Sequence, residues 1–541
     1  MFREALLTTG TGTATEHAQI RKIVAVLIGF AVAIRLAHLA LVAPTPLMGF
    51  HREFVDSDMW VFDQWAQKVI AGDWLGRTPF HPLAAWQLAA APAEKWVEWN
   101  GEAPTFYKAP FYAYLLAVVG ALKMTSLTVF ALQAFCAGAS AWLLFRITRT
   151  TIGETAGAYA VALFALYAPD IHFTTVLLRG PWIVLSTLFV TDRLVALHRD
   201  PSGLRSWLAG LSIALAILVN EAMVPLVVLA PLSLALSGLS WRRWRLYVGL
   251  GMGLAMGLLP VVARNLAVGA PPLQIAVTGS VVMAVFNSSA SDPLFFSARP
   301  EMFEPVMRSS GASLFEVLVA CVRSFPSVSD WLGFYGQKLA GLVAPFENPD
   351  NLNFYYVTTV NPWLGWLPAY GVLLPLAAVG ALLAWPHRQA VWWCLGPVSL
   401  TLMTAMMLTL PLSRYRATWA IQLMPLVGLA LAKVVGWASE KRWRPLGVTA
   451  VALGACAALQ IGVQMLIVFP LGDSGRHMYR PPEFVLAARM EAASGHFERA
   501  ALELDRLALL HPDVRIKDQA RILAADYRRQ ANAASDSRYG R

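Results

Sequence analysis

The chain has 541 residues, of which 57% are hydrophobic and 14% are charged, and its mean hydropathy is +0.53. A soluble domain carries about 25% charged residues, so this composition excludes an ordinary water-soluble protein. The net charge of +10 comes from short Lys and Arg clusters between apolar runs. That distribution reports membrane topology and argues against nucleic-acid binding.

Apolar runs of spanning length recur along the chain, and a helix lets each satisfy its own backbone hydrogen bonds in lipid. We predict an all-α polytopic membrane protein with about eleven transmembrane helices in a domain of residues 23–469. A cytoplasmic N-terminal tail, 1–22, precedes it. The runs cover residues 23–43, 126–145, 156–173, 176–197, 205–219, 222–238, 246–263, 363–385, 390–411, 416–437 and 446–469.

The apolar run at 110–122 decides the topology. It is short for a span, and if it lies at the interface, the basic clusters between the spans all fall on one side, as the positive-inside rule requires. We therefore predict a multi-pass protein of the cell inner membrane with a cytoplasmic N-terminus. Two long outer loops, 44–125 and 264–362, then carry interfacial helices and an active site facing the periplasm.

Residues 470–541 differ from the rest of the chain. Small residues at Ala487, Gly495 and Ala500 allow two helices to pack closely, and Pro512 ends the second. The pattern resembles a tetratricopeptide-type helical hairpin, so we predict a small periplasmic helical-hairpin domain. One repeat buries its apolar face poorly alone, and we expect it to rest on the membrane domain or on a protein partner.

Acidic residues precede an amphipathic helix in the first outer loop. Asp58 lies about one turn before Phe62, and Asp56 is the nearest second acid. A carboxylate placed just outside a membrane helix could act as a general base, whereas the alternative is that either acid only caps the helix. A divalent cation at Asp56 and Asp58 is a further expectation, although the sequence has no His/Cys metal cluster and no CxxC.

Tyr107-Lys108-Ala109-Pro110 opens the short apolar run. A cation beside an aromatic ring at the membrane surface suits a lipid phosphate, and it equally suits a simple interfacial anchor. Tyr107 and Lys108 are therefore candidate substrate-binding residues.

Two basic segments lie at span ends on the predicted outer side, where the positive-inside rule disfavours arginine. They are Arg264-Asn265 and Ser413-Arg414-Tyr415-Arg416. A guanidinium binds phosphate oxygens bidentately, so an anionic ligand is one explanation, and snorkelling to lipid headgroups is the other.

The second outer loop adds Lys338 as a candidate phosphate ligand and Glu347 as a candidate contact for an acceptor or metal, although the turn formers around Glu347 explain it equally well. Arg179 and the pair Asn220-Glu221 lie in or beside spans, and ionisable residues there are functional candidates by default.

Taken in order, these segments resemble the C-type (GT-C) membrane glycosyltransferases, in particular bacterial relatives of the protein mannosyltransferases and of the lipid A aminoarabinose transferase. The resemblance covers roughly residues 20–470. It departs from many relatives at Met59, where a second acid is usual, and at Phe62, where a Tyr is usual. Its segments are Asp58-x-x-x-Phe62-Asp63-x-Trp65-Ala66 with Gly72-Asp73-Trp74, Phe106 to Tyr112, Arg264-Asn265 and Ser413 to Arg416.

The resemblance implies an inverting sugar transfer from a polyprenyl-phosphate donor to a hydroxyl of an unknown protein, lipid or glycan acceptor, with no required cofactor. Asp58 would be the general base, and Arg264, Arg414, Arg416 or Lys338 would neutralise the phosphate leaving group. Tyr107, Lys108, Asn265, Tyr415 and Glu347 would contribute further substrate contacts. The alternative is a membrane transporter or flippase for a lipid-linked or anionic substrate, although no internal repeat favours it.

Overall fold

The computed structural model describes residues 14–238, 241–296, 300–309, 313–385, 388–472 and 478–539, and all regular elements in these ranges are helices. The predicted all-α polytopic membrane fold is therefore confirmed. Within the described ranges, eight helices are long and apolar enough to cross a bilayer: Ala14–Val42, Ser126–Thr151, Gly180–Arg199, Trp244–Val268, Pro362–Leu383, Val391–Leu408, Ser413–Ser439 and Trp443–Val468.

The three other predicted spans are shorter helical segments. Runs 205–219 and 222–238 correspond to the helices Gly203–Val219 and Glu221–Leu236. Run 156–173 is broken into Glu154–Ala165 and Ala168–Thr174.

The break follows from Pro169, which has no N–H to donate to the carbonyl of Ala165. Arg35 of the first span fills the gap. Its guanidinium donates to the carbonyls of Phe164 and Ala165 at 3.3 and 3.5 Å, and it pairs with Asp170 at 2.5 Å. The freed carbonyls thus have a donor inside the bundle, which removes the main cost of breaking a helix in lipid.

Close helix contacts hold the bundle together where side chains are small. At the crossing of Gly203–Val219 with Trp244–Val268, a Cβ on Gly210 would lie 1.9 Å from the carbonyl oxygen of Leu250, and one on Gly253 would lie equally close to that of Trp207. Only glycine permits this approach, as is common between membrane helices.

Both long loops fold as short helices. Phe111–Ala121 has 11 residues and is therefore about 16 Å long, too short to cross the roughly 30 Å hydrocarbon core. It packs on the helix Asp58–Ile70, with the rings of Phe62 and Tyr112 5.2 Å apart. The loop helices are Phe50–Glu53, Asp58–Ile70, Ala85–Ala90, Ala93–Asn100 and Phe111–Ala121 in the first loop, and Gly279–Asn287, Pro300–Ser309, Leu314–Arg323, Val328–Val343 and Phe354–Val360 in the second.

The C-terminal region forms three helices, Pro481–Ala493, Phe497–Leu510 and Val514–Tyr539, each packed on the next. The first docks on the membrane domain, where the ring of Phe484 meets that of Tyr356 at 4.7 Å. The tetratricopeptide-like character of this region stays a prediction.

Candidate active site

Asp58 begins the helix Asp58–Ile70, but it is not the capping residue. The N-cap is Ser57, whose hydroxyl accepts the backbone N–H of Trp60 at 3.3 Å. The interpretation of Asp56 or Asp58 as a mere cap is therefore wrong. The Asp58 carboxylate is free to meet other groups, while its backbone N–H donates to Asn351 Oδ1 at 2.5 Å.

Two cations hold the Asp58 carboxylate. Lys108 Nζ lies 2.5 Å from Oδ1, and Arg414 Nη1 lies 3.1 Å from Oδ2. The Asp58 side chain is 24% exposed and that of Arg414 only 6%, so the three groups form a partly enclosed site that remains open at the carboxylate.

The surroundings fix the charge of this site. Burial alone raises the pKa of Asp58, but the charges of Lys108, Arg414 and, further away, Arg179 outweigh it and hold the pKa well below the usual range. Burial likewise lowers the pKa of Lys108, yet the neighbouring carboxylate raises it above its ordinary value. Asp58 is thus an anion and Lys108 a cation at neutral pH.

A loop from the second long region orients Arg414. Arg414 Nε lies 3.0 Å from Asp350 Oδ2, and Asn351 Nδ2 donates to Asp350 Oδ1 at 2.8 Å. Arg414 Nη2 also donates to the Tyr415 hydroxyl at 3.0 Å. Asp350 and Asn351, which the sequence marked only as turn formers, therefore position both Arg414 and Asp58.

A second ion pair adjoins the first. Arg179 donates to both carboxylate oxygens of Glu221 at 2.5 and 2.9 Å, and Glu221 Oε2 also accepts the backbone N–H of Ala109 at 3.2 Å. Glu221 thereby fixes the residue next to Lys108. We call Asp58, Lys108, Arg179, Glu221, Asp350 and Arg414 the Asp58 cluster.

Arg264 and Asn265 lie outside the Asp58 cluster. The three guanidinium nitrogens of Arg264 donate to the carbonyls of Leu75 and Gly76, each at 2.6 Å, and to Asn265 Oδ1 at 2.9 Å. The amide of Asn265 donates to the carbonyls of Pro271, Pro272 and Gln274. These contacts tie the pair to the first loop, but a guanidinium carries five N–H donors, so the phosphate-binding and substrate-binding roles of Arg264 and Asn265 stay predictions.

Tyr107 connects the two regions. It follows Phe106, whose ring lies 4.0 Å from the Arg264 guanidinium, and it precedes Lys108. Tyr107 is 8% exposed. Burial raises the pKa of its hydroxyl, which is hydrogen-bonded to the Gln87 side chain, so Tyr107 forms part of the wall beside Lys108.

Lys338, Arg416 and Glu347 also lie outside the Asp58 cluster. Lys338 is 0% exposed, and its ammonium lies within 2.7–3.0 Å of the carbonyls of Phe286, Met407 and Thr409 and of Asn287 Oδ1. An ammonium has three protons, so none is left for a ligand. These contacts favour a structural role for Lys338, and its phosphate-binding role stays a prediction.

Arg416, equally buried, donates to the carbonyls of Gly341, Ala344 and Phe346. Glu347 lies 3.5 Å from Arg416 and accepts from Ser413 Oγ at 2.6 Å. These side chains hold the second loop to the bundle, and the roles of Arg416 in phosphate binding and of Glu347 in substrate binding stay predictions.

The residues at the predicted cation site do not fit a divalent ion. Asp56 is exposed in the turn before the helix, and each carboxylate oxygen of Asp58 already faces a cation. Among the residues searched in the described ranges, no group of three or more His, Cys, Asp or Glu side chains is arranged to hold a metal.

The C-terminal helices reach the Asp58 cluster through one loop. Arg480 Nη2 donates to the carbonyl of Asp350 at 2.6 Å, and Asn353 Nδ2 donates to the carbonyl of Met478 at 2.8 Å. Arg480 also pairs with the buried Glu483. The C-terminal region thus supports the backbone of the loop that orients Arg414.

No protein-family model and no curated protein matches the chain. Among solved structures, it is similar to ArnT from Cupriavidus metallidurans bound to undecaprenyl phosphate, with 15% identity and a TM-score of 0.46, over 95% of this chain and 76% of that one. It is also similar to the archaeal oligosaccharyltransferase AglB from Archaeoglobus fulgidus in complex with an inhibitory peptide and a dolichol-phosphate, with 13% identity and a TM-score of 0.40.

The second likeness covers 94% of this chain but only 60% of AglB. Likeness at this level concerns the arrangement of helices alone.

Proposed function

We propose that this protein transfers a sugar from a polyprenyl-phosphate donor to an acceptor hydroxyl on the periplasmic side of the inner membrane. The observation that carries the proposal is the Asp58 carboxylate held between Lys108 and Arg414 at 2.5 and 3.1 Å. The site thus combines an ionised base with cations suited to a phosphate, at the ends of membrane helices where a lipid-linked donor would present its headgroup.

In the proposed reaction, Asp58 accepts the proton of the acceptor hydroxyl as its oxygen attacks the anomeric carbon. The bond between that carbon and the phosphate oxygen breaks, and the electron pair leaves with the polyprenyl phosphate. The entering oxygen and the leaving phosphate lie on opposite faces of the sugar, so the configuration inverts. No cofactor is needed for this exchange.

The leaving group gains a negative charge as the bond breaks. Cations placed where that charge develops lower the barrier more than they stabilise the bound donor. Lys108 and Arg414 are suited to this role, with Tyr415 holding the Arg414 guanidinium through its hydroxyl at 3.0 Å.

Donor binding also adjusts the base. With Lys108 and Arg414 on its two oxygens, Asp58 is a weak base because its pKa is depressed. A donor phosphate that attracts the same cations adds negative charge beside Asp58, which raises its pKa. The base therefore strengthens only when a donor is bound.

The test compares cells expressing wild type, Asp58→Asn and Asp56→Asn by mass spectrometry of their glycolipids and glycoproteins. We expect one glycosylated product to disappear in Asp58→Asn and to persist in Asp56→Asn, since Asp56 lies outside the cluster. If the product disappears only in Asp56→Asn, Asp56 and not Asp58 is the general base. An unchanged glycan profile in both variants would contradict the proposed sugar transfer.

The transporter alternative is separated by proteoliposomes. If the protein moves undecaprenyl phosphate between leaflets, and Asp58→Asn leaves glycan profiles intact, the flippase is favoured. If sugar transfer to the acceptor continues when the donor is supplied only on the side of the membrane that holds Asp58, the glycosyltransferase is favoured over the flippase.

A further inference from the structure

An open cavity of about 850 Å³ lies at the opposite end of the helix Gly180–Arg199 from the Asp58 cluster. That helix has 20 residues, which separates the two ends by about 30 Å. Arginines from three helices line the cavity: Arg146, Arg149, Arg193, Arg199 and Arg205. We call these residues the arginine cavity.

Three of these guanidinium groups are oriented by the same local device. In each case the arginine follows an aromatic residue by four positions, so one helical turn places the cation over the ring. The distances from guanidinium to ring centroid are 4.5 Å for Arg146 over Trp142, 5.6 Å for Arg149 over Phe145 and 5.4 Å for Arg193 over Phe189.

A buried aspartate holds two of the arginines of the arginine cavity in place. Asp192 is 4% exposed and pairs with Arg193 and, at 3.2 Å, with Arg146. At the rim, Arg205 lies 2.6 Å from Asp200. Arg149 lies 3.9 Å from Glu154, which is outside the cavity lining and also pairs with His17 and Arg21. The five arginines still exceed Asp192, Asp200 and Glu154, which leaves the cavity with an excess of positive charge.

The positive-inside rule explains why arginines occur at these helix ends. It does not explain why arginines of three helices converge on one cavity, nor why rings and a buried carboxylate hold them in place. Held guanidinium groups lose little freedom on binding, and they match phosphate oxygens in geometry and charge.

We propose that the arginine cavity is a second binding site, distinct from the Asp58 cluster, for a phosphate-bearing anion. The phosphate meets Arg149 and Arg199 at the cavity wall, while Asp192 keeps Arg146 and Arg193 in place. The volume admits a whole phosphodiester headgroup. The site does not depend on the proposed transferase activity, because it shares no residue with the Asp58 cluster.

Native mass spectrometry of the purified full chain in neutral detergent tests this site. The probes are phosphatidylglycerol, phosphatidylcholine as the zwitterionic reference, and pyrophosphate as the soluble source of phosphate. We compare wild type with Arg149→Gln/Arg199→Gln, which leaves the three ion pairs of Asp192 and Asp200 intact. Arg442→Gln is the control, since Arg442 is an exposed arginine paired with Glu440 outside the cavity.

We expect the double variant to weaken binding of phosphatidylglycerol or pyrophosphate by about tenfold or more, since two charge-assisted contacts are lost. The control should bind as wild type does. Competition by pyrophosphate identifies a soluble ligand, and selective binding of phosphatidylglycerol identifies a lipid. Equal affinity in wild type and the double variant, or an equal loss in Arg442→Gln, overturns the proposal. If the double variant does not fold, Arg149→Gln and Arg199→Gln are measured singly, and each should weaken binding by part of that factor, whereas wild-type affinity in both overturns the proposal.

Discussion

Two groups of cations lie near each other and differ in what surrounds them. In the Asp58 cluster, Lys108 and Arg414 face carboxylates, and the Lys108 side chain is still 16% exposed. Lys338 and Arg416 are instead 0% exposed and donate mainly to backbone carbonyls, with Asn287 Oδ1 beside Lys338 and Glu347 3.5 Å from Arg416. The comparison teaches that the acceptors around a buried cation, and not its position beside a span, decide whether it can meet a ligand.

The largest expected effect is the loss of the Asp58 carboxylate, the proposed general base. We expect Asp58→Asn to lower the transfer rate by about 10²–10⁴-fold, the usual contribution of a general base. The measurement is product formation by the purified enzyme once donor and acceptor are known. Full activity in Asp58→Asn would contradict the role of the cluster, and Asp56→Asn is the matched control.

The two lysines sharpen the comparison. Lys338→Met leaves buried carbonyls without a donor, and we expect it to lower the free energy of unfolding by roughly 1–3 kcal/mol. Lys108→Met should instead weaken binding of undecaprenyl phosphate, with a smaller loss of stability. Thermal unfolding in detergent and lipid binding by the folded fraction measure the two effects. If Lys338→Met folds normally and loses lipid binding, the assignment of a structural role to Lys338 and a binding role to Lys108 is wrong.

Some residues of the candidate site could be predicted from the sequence alone. Asp58, Lys108 and Arg414 were found because they are charged and lie beside spans. Arg414 and Arg416 were treated alike, although residues two apart on a helix point to different faces. Helical periodicity therefore indicates that the two arginines meet different surroundings. It does not indicate which of them faces Asp58, because that depends on packing against Gly341 to Phe346.

Other parts of the site were beyond local patterns. Asp350 and Asn351 have the residue types of turn formers, and the contact of Asn351 with Asp58 joins residues nearly 300 positions apart in the chain. The eleven apolar runs were found because lipid imposes a simple length rule. The break in run 156–173 was signalled by Pro169, yet its stability depends on Arg35, which comes from another span.

Arg480 tests whether support from the C-terminal helices matters to the Asp58 cluster. We expect Arg480→Gln to lower the transfer rate by about tenfold, the equivalent of one hydrogen bond from a charged group, with little change in the affinity for undecaprenyl phosphate. Arg480→Lys should recover part of the rate. Hydrogen exchange at residues 346–356 should rise in Arg480→Gln even if the proposed reaction is wrong, and unchanged exchange there would refute the support.

The smallest effect is on the pH profile. Lys108 lowers the pKa of Asp58, so removing its charge raises that pKa. We expect the acidic limb of the rate of Lys108→Gln to move to higher pH by about one unit, within the range usual for loss of a close opposite charge. Initial rates extended below pH 4 measure the shift, because the pKa of Asp58 lies well below its usual range, and a shift to lower pH would contradict the assigned contact.

The contact of Arg480 with the Asp350 carbonyl has a consequence for biogenesis. Residues 478–484 are translated after the eight candidate spans of the described residues, so a nascent chain can insert these spans before the loop beside Asp58 receives its last support. Under the proposed function, catalytic competence then arises only once the C-terminal helices have docked, which keeps a half-made chain from acting on its donor.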